Sequence, residues 1–258
     1  MASSKDDSDN TKKRKRCNNN AIRAVYIEIG VSSQTAAGSA LVYMGKTRVL
    51  CQVYGPQSSN SDVALDEGRL VFNVKFAKAS GNTSRVAELE IASKLNDALA
   101  STIPLLKYQK SVFELQLNII ENDGSVLAAC INAASLALVD ANFEMYHLVA
   151  SASVAVHNKD ELNVVVDPNL EETLESDGVV TLALAISPDW VTLWDQTCKL
   201  SNTSKAMDLA HAACYTMHKL MRTALVEHAD AAQRSLNQQL LEFDYAARKD
   251  LIFATNNE

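Results

Sequence analysis

The strongest constraint on the fold is an apolar run, Val126–Val139, that contains only two polar residues, Asn132 and Ser135. The run is shorter than the about 20 apolar residues that a helix needs to cross a bilayer, and it falls in the range of about 10–14 that is more typical of a core helix. We therefore predict a helix that is buried at the centre of the fold and ends near Asp140. Asp123-Gly124 is expected to form the preceding turn.

Strand patterns lie on both sides of this run in the sequence. Ser39–Met44 and Thr47–Tyr54 are apolar segments joined by Gly45-Lys46, and two residues that include glycine are typical of a tight hairpin. Gly55-Pro56 is expected to end the second of these strands. The other predicted strands are Val25–Ile29, Leu70–Phe76, Phe113–Ile119, Leu148–Val156, Val164–Asp167, Val179–Ile186 and Val191–Trp194.

Two further helices are predicted from spacings of three and four residues. The first begins after Ser84, a good N-cap residue, and ends before Pro104. The second spans about 203–232. Ser125 is expected to cap the buried helix. The apolar stripe of the first helix is Val86, Leu89, Ala92, Leu95 and Leu99, and that of the last is Met207, Ala210, Cys214, Met217, Met221, Ala224 and His228.

Charge is distributed unevenly along the 258 residues, whose net charge is -7. Residues 1–20 carry six Lys/Arg against three Asp/Glu, so the remainder carries -10. The acidic balance argues against a dedicated DNA-binding protein. We predict a disordered basic tail over 1–20, one α+β domain over 21–240 and a C-terminal extension over 241–258.

The basic run Lys12–Arg16 has three interpretations: a nuclear import signal, an arm that contacts RNA, or a solvated tail. The first residues contain no apolar stretch, so we expect no secretory signal peptide and a soluble protein. Five cysteines without a C-x-x-C pair favour reduced thiols in an intracellular protein over a disulfide framework.

Three possible chemical motifs are each incomplete in this sequence, and no cofactor is predicted. Gly45-Lys46-Thr47 resembles the end of a P-loop, but Ala40 stands where the first glycine is required, and a strand follows instead of a helix. His211, Cys214 and His218 share a helix, but no further ligand set is evident for a metal. The chain also lacks the G-x-S-x-G motif of hydrolases that use a serine nucleophile.

Three passages occur in the order seen in RNase PH domains: Gly38–Pro56, Gly68–Phe72 and Glu121–Ala141. The chain resembles that family over residues 21–235. Within the family it resembles the ring subunits of the eukaryotic RNA exosome, most of all exosome component six, the mRNA-transport-regulator type, although the other ring members remain open. Phe143–Val149 and Val166–Pro168 carry this finer likeness.

The resemblance implies an α+β fold of the RNase PH type, related to the second domain of ribosomal protein S5, with a mixed sheet packed against helices. It also implies phosphorolysis, in which phosphate attacks the 3′ end of RNA and cations hold the phosphate. Val126 stands where active members carry an arginine, and Thr173 stands at the second of two acidic positions, of which Asp167 matches the first. Among residues 80–85, only Arg85 is a cation. The resemblance therefore implies a non-catalytic ring subunit.

Such a subunit is expected to support 3′-to-5′ RNA processing and decay, including rRNA maturation, by an associated nuclease. The implied partners are other RNase PH-like ring subunits, S1/KH cap proteins and single-stranded RNA, but no membrane, and the implied locations are nucleus, nucleolus and cytoplasm. Lys75, Lys78 and Arg85 are candidates for RNA contact, or ordinary surface cations. An active phosphate-dependent exoribonuclease and a stand-alone RNA-binding module remain the alternatives.

Overall fold

The computed structural model describes residues 20–32, 36–58, 67–77, 84–157, 163–197 and 203–255. The strands are β1 (Val25–Ile29), β2 (Gly38–Met44), β3 (Thr47–Ser58), β4 (Arg69–Phe76), β5 (Ser111–Glu121), β6 (Val149–His157), β7 (Asn163–Val166), β8 (Gly178–Ala185) and β9 (Trp190–Gln196). The helices are α1 (Arg85–Ala100), α2 (Val126–Asp140), α3 (Leu170–Glu175) and α4 (Thr203–Thr255).

The strands form two sheets. The first has the order β1-β2-β3-β5-β4 and is mixed, because β4 runs parallel to β5 and the other pairs are antiparallel. The second has the order β7-β6-β8-β9 and is antiparallel throughout. The predicted α+β class, the predicted strands and the Gly45-Lys46 hairpin are confirmed.

Helix α2 lies between the two sheets, as its apolar sequence requires. It packs on β2 and β3 of the first sheet and on β6 of the second. Every residue from Ala128 to Leu138 is buried. Helix α1 lies in the same layer, between β4 and β9, and α4 covers the other face of the second sheet. No helix in the described ranges has both the length and the apolarity to cross a bilayer.

The two polar residues of the apolar run tie α2 to strand β6. The Asn132 side chain donates to the Ser151 carbonyl at 2.9 Å and accepts from the Ser151 amide at 2.8 Å. The Ser135 hydroxyl accepts from the Val149 amide at 3.2 Å. Buried polar groups are stable only when they form hydrogen bonds. The side chains of Asn132 and Ser135 bond backbone groups of β6 that lie outside the strand-to-strand hydrogen bonding.

We expect Asn132→Ala to lower the free energy of unfolding by about 2–3 kcal/mol, because two buried backbone groups of Ser151 lose their partners. Urea denaturation followed by circular dichroism measures the change. Asn73→Ala is the matched control, since the Asn73 amide also bonds a side chain, Glu114, but at an exposed site. Equal losses in the two variants would contradict the account of α2.

The structure corrects two predictions about element boundaries. Strand β3 does not end at Gly55-Pro56 but continues to Ser58, and the β3–β5 register shifts between Tyr54 and Gln57 to accommodate the proline. Helix α4 does not end near 232; it continues to Thr255 and so crosses position 240, and residues 231–238 are all exposed.

Helix α1 is confirmed, and part of its apolar stripe is buried. Ser84 caps the helix as predicted, since its hydroxyl accepts from the Val86 amide. Leu95 and Leu99 are buried, but Val86 is 70% exposed and Leu89 is 61% exposed. In α4 the central residues of the stripe are buried, namely Ala210, Cys214, Met217 and Met221, whereas Met207 is 42% exposed.

Candidate functional site

The turn that precedes α2 presses against the segment that follows β7. Gly124 has φ +85°, and a Cβ there would overlap the Pro168 carbonyl oxygen. The Ser125 hydroxyl donates to that oxygen at 3.1 Å. Ser125 occupies the N-cap position of α2 as predicted, but it has φ 53° and its side chain makes no capping hydrogen bond; the side chain joins two segments of the chain instead.

Arg23 forms a clamp between these two segments. Its Nη2 donates to Asp167 Oδ1 at 2.8 Å and its Nε donates to Asp167 Oδ2 at 3.0 Å, which is the paired geometry of an arginine on a carboxylate. Its Nη1 donates to the Asp123 carbonyl at 2.8 Å. The Asp167 side chain is fully buried. The acid that matches the first acidic position of the resembled family is therefore enclosed and held by a cation of its own chain.

The hairpin between β2 and β3 supports this clamp from the other side. The Thr47 hydroxyl donates to the Gly124 carbonyl at 2.7 Å and accepts from the Asp123 amide at 3.0 Å. Gly45 has φ +62°, and a Cβ there would lie 2.8 Å from Arg23 Cδ. The Gly-Lys-Thr sequence thus belongs to a hairpin that holds a turn and an arginine, and it forms no phosphate-binding loop.

A cleft of about 370 Å³ lies beside the clamp. It is bounded by α1, the start of α2, α3 and strands β6, β8 and β9, and we call it the α1–α3 cleft. Val126 and Thr173 both line it. The structure thus brings together the two positions at which the chain departs from the active members of the resembled family.

The only cation among the described residues that line the α1–α3 cleft is Lys94. Its ammonium donates to Glu90 at 2.6 Å and to Asp195 at 2.9 Å. Burial by itself lowers the pKa of Lys94, but these hydrogen bonds outweigh burial and raise the pKa above its usual value. The lining also contains Asp177, so two carboxylates face one cation that is already neutralised.

Of the residues predicted to contact RNA, Lys75 and Arg85 are not among those that line the cleft. Lys75 is exposed on β4, and Arg85 is exposed at the first position of α1. Lys78 lies outside the described residues. RNA contact by these side chains stays a prediction.

Of the three residues considered as metal ligands, His211 and Cys214 have different partners. His211 Nε2 lies 2.9 Å from Asp189 Oδ1, whereas the Cys214 thiol donates to the Leu182 carbonyl. Burial raises the pKa of Cys214 to about 12, so the thiol is protonated at neutral pH. Within the described ranges, no three His, Cys, Asp or Glu side chains come together.

Arg23 is absent from the residues predicted to form the site. It lies 144 residues from Asp167 in sequence, and nothing local marks a lone arginine before a strand as a partner for a distant acid. The one available signal was the position of Asp167 directly after the apolar residues Val164–Val166, since a carboxylate that is buried there needs a compensating partner.

Comparison with known proteins agrees with this geometry. Two models of the 3′ exoribonuclease family match the chain, domain 1 (RNase PH) over residues 21–144 and domain 2 over residues 147–213. The exosome complex component RRP41-like of Arabidopsis thaliana is 30% identical over 223 residues, which cover 81% of this chain and 82% of the relative.

Two further relatives are informative. The exosome complex component MTR3 of Homo sapiens is 32% identical over 181 residues, which cover 63% of this chain and 66% of the relative. The crystal structure of rice (Oryza sativa) Rrp46 has a TM-score of 0.72 at 24% identity and covers 81% of this chain and 97% of that one. The resemblance to exosome ring subunits is confirmed, and the chain belongs to the RNase PH, or 3′ exoribonuclease, family.

Proposed function

We propose that this chain is a non-catalytic subunit of an RNA exosome ring. In this role it supports 3′-to-5′ RNA processing and degradation by an associated nuclease and helps to line a channel for single-stranded RNA. Relatives named exosome complex components, about 30% identical over most of the chain, support the assignment to the complex.

The observation that carries the non-catalytic part is the charge of the α1–α3 cleft. Phosphorolysis brings a phosphate anion to an RNA end that is itself anionic, so the site must supply positive charge. Here the cleft supplies Lys94, which two carboxylates already neutralise, and an alkyl side chain at Val126. Each missing charged hydrogen bond costs a phosphate site about 1.5–3 kcal/mol.

The clamp also engages Asp167, the residue that matches the first acidic position of the active members. Asp167 is buried, and two of its bonds go to the Arg23 guanidinium, so the carboxylate is not presented to a ligand in the α1–α3 cleft. Asp167 instead bonds Arg23, which precedes β1 and also bonds the turn before α2. The fold thus retains its shape through a residue whose side chain takes no part in chemistry.

We expect no phosphate-dependent shortening of 5′-labelled RNA by the purified chain, assayed beside an active RNase PH as a positive control. Val126→Glu adds a further negative charge to the cleft, and Val86→Glu makes the same change on the exposed part of α1. Activity in the wild-type chain that Val126→Glu abolishes and Val86→Glu preserves would overturn the proposal and establish the phosphate-dependent exoribonuclease.

The proposal names partners that a separate experiment tests. Pull-down of the full chain from extract, followed by mass spectrometry, is expected to recover five other RNase PH-like chains together with S1/KH cap proteins. Recovery of the chain alone would favour a stand-alone RNA-binding module. Fluorescent tagging tests the proposed nuclear, nucleolar and cytoplasmic location, and loss of nuclear signal on substitution of Lys12–Arg16 would identify that run as an import signal.

A further inference from the structure

A second cavity, of about 500 Å³, lies where the end of β1, the end of α2 and one face of α4 meet. We call it the α2–α4 cavity. Its volume falls in the range of about 300–1,000 Å³ that is typical of sites for small molecules. Much of its wall is apolar, formed by Ile29, Val139, Leu225 and Val226. It shares no lining residue with the α1–α3 cleft, so the proposed ring function makes no use of it.

One end of the α2–α4 cavity directs two hydrogen-bonding atoms at one point. A Cβ at Gly30 would lie 3.0 Å from His228 Nε2 and 4.0 Å from Asp140 Oδ1, so these two atoms are at most about 7 Å apart. Asp140 Oδ2 accepts from the Ser39 amide at 2.8 Å. Within the described ranges, Asp140 Oδ1 and His228 have no hydrogen bond or ion pair.

The space between these two atoms suits a hydrogen-bond donor. Two hydrogen bonds from one nitrogen span up to about 6.4 Å, so an ammonium group seated there can donate to both atoms. Asp140 supplies the opposite charge, and His228 Nε2 accepts when the imidazole carries its proton on Nδ1. Glycine at position 30 leaves this space open, because any side chain would fill it.

Positive charge lies at the other end of the α2–α4 cavity. Arg222 lines it from α4 and has no hydrogen bond or ion pair in the part of the chain that the structure describes. Burial first, and the charge of Arg222 second, lower the pKa of His218, which lies one turn towards the start of α4. The guanidinium therefore acts on the side away from His228, which lies six residues, or about 9 Å, further along the helix axis.

We propose that the α2–α4 cavity binds a small linear zwitterion, in which an aliphatic chain separates an ammonium group from a carboxylate. The ammonium donates to Asp140 Oδ1 and His228 Nε2, and the carboxylate accepts from the Arg222 guanidinium. The Asn142 carboxamide, which also lines the cavity, is a further donor, and the aliphatic chain lies on the apolar wall. A simple anion would leave Asp140 uncompensated, and a simple cation would leave Arg222 uncompensated.

The proposal is tested by NMR titration of the full chain with 6-aminohexanoate, followed at the backbone amides of Gly30, Asn142 and Ala229. We expect saturable shifts at millimolar ligand. Hexanoate lacks the ammonium, hexylamine lacks the carboxylate, and leucine, an isomer of 6-aminohexanoate, carries its two charges side by side. Each control loses a charged hydrogen bond and is expected to bind about tenfold more weakly or worse. No saturable shift, or equal affinity for any control, would overturn the proposal.

Two arginine variants test the charged end. Arg222→Gln is expected to weaken 6-aminohexanoate about tenfold and to leave the weaker binding of hexylamine unchanged. Arg234→Gln removes the same charge from the exposed stretch of α4, outside the cavity lining, and is expected to leave both ligands unchanged. Both positions are exposed, so both variants are expected to fold, which circular dichroism checks. Equal losses of affinity in the two variants would contradict the assigned role of Arg222.

Discussion

Arg23→Ala is expected to lower the free energy of unfolding by about 3–5 kcal/mol. The reason is that Asp167 is fully buried, and removal of the guanidinium takes away the opposite charge and two hydrogen bonds of a buried pair, leaving the residue 23 backbone amide as a neutral donor to Oδ2. The same change releases the Asp123 carbonyl, which accepts from Arg23 Nη1. Equilibrium unfolding in urea measures the loss.

Arg48→Ala is the control for this prediction. Arg48 pairs with Glu121 at 3.4 Å, but both side chains are about half exposed, and exposed pairs contribute about 0–1 kcal/mol. The double variant Arg23→Met with Asp167→Leu removes both charges and is expected to recover part of the loss. Similar losses for Arg23→Ala and Arg48→Ala would contradict the clamp.

Gly124→Ala is expected to cost about 3 kcal/mol or more. A Cβ at this position would overlap the Pro168 carbonyl oxygen and lie 2.6 Å from the carbonyl carbon of Asn169, so rigid backbone blocks it. The φ of +85° adds the strain that any side chain meets in that region, about 1–2 kcal/mol. Thermal and urea unfolding of the variant test the close contact between the turn and the β7 end.

Gly30→Ala isolates the backbone contribution. Gly30 has φ +76°, and its Cβ would meet the His228 imidazole at 3.0 Å, a side chain that can move. We expect this variant to lose only the strain of about 1–2 kcal/mol. If the two alanine variants were equally stable, the contact of Gly124 with Pro168 would not be rigid.

The local patterns in the sequence were sufficient to predict most elements. Alternation in Phe113–Ile119, the Gly45-Lys46 turn and the apolar run Val126–Val139 each depend on neighbours in sequence, and each was confirmed. The short helix α3 was not predicted, because its six residues show no stripe; an Asn169–Glu172 capping box fixes it instead.

The site depends on contacts that no local pattern encodes. The clamp joins Arg23 to Asp167, and Thr47 to Gly124, across 144 and 77 residues. Ser125 illustrates the consequence: its position before α2 is typical of an N-cap, but the turn against Pro168 forces φ to 53° and directs the hydroxyl elsewhere. Tertiary packing overrides the local preference there.

The burial of α1 also depends on contacts that its sequence does not encode. A stripe of apolar residues indicates which face of a helix is apolar. It does not indicate how much of that face the neighbouring sheets cover. Leu95 and Leu99 are buried, whereas Val86 and Leu89 are exposed.

The most direct test of the account is a titration of the purified chain with inorganic phosphate, followed by NMR at the amides of Ser125, Val126 and Thr181, which line the α1–α3 cleft. An acidic lining with one neutralised lysine predicts no saturable shift at millimolar phosphate, in the wild-type chain and after removal of the basic run alike. A saturable shift confined to these amides, and lost in Val126→Glu, would contradict the central claim that the cleft has lost its hold on phosphate.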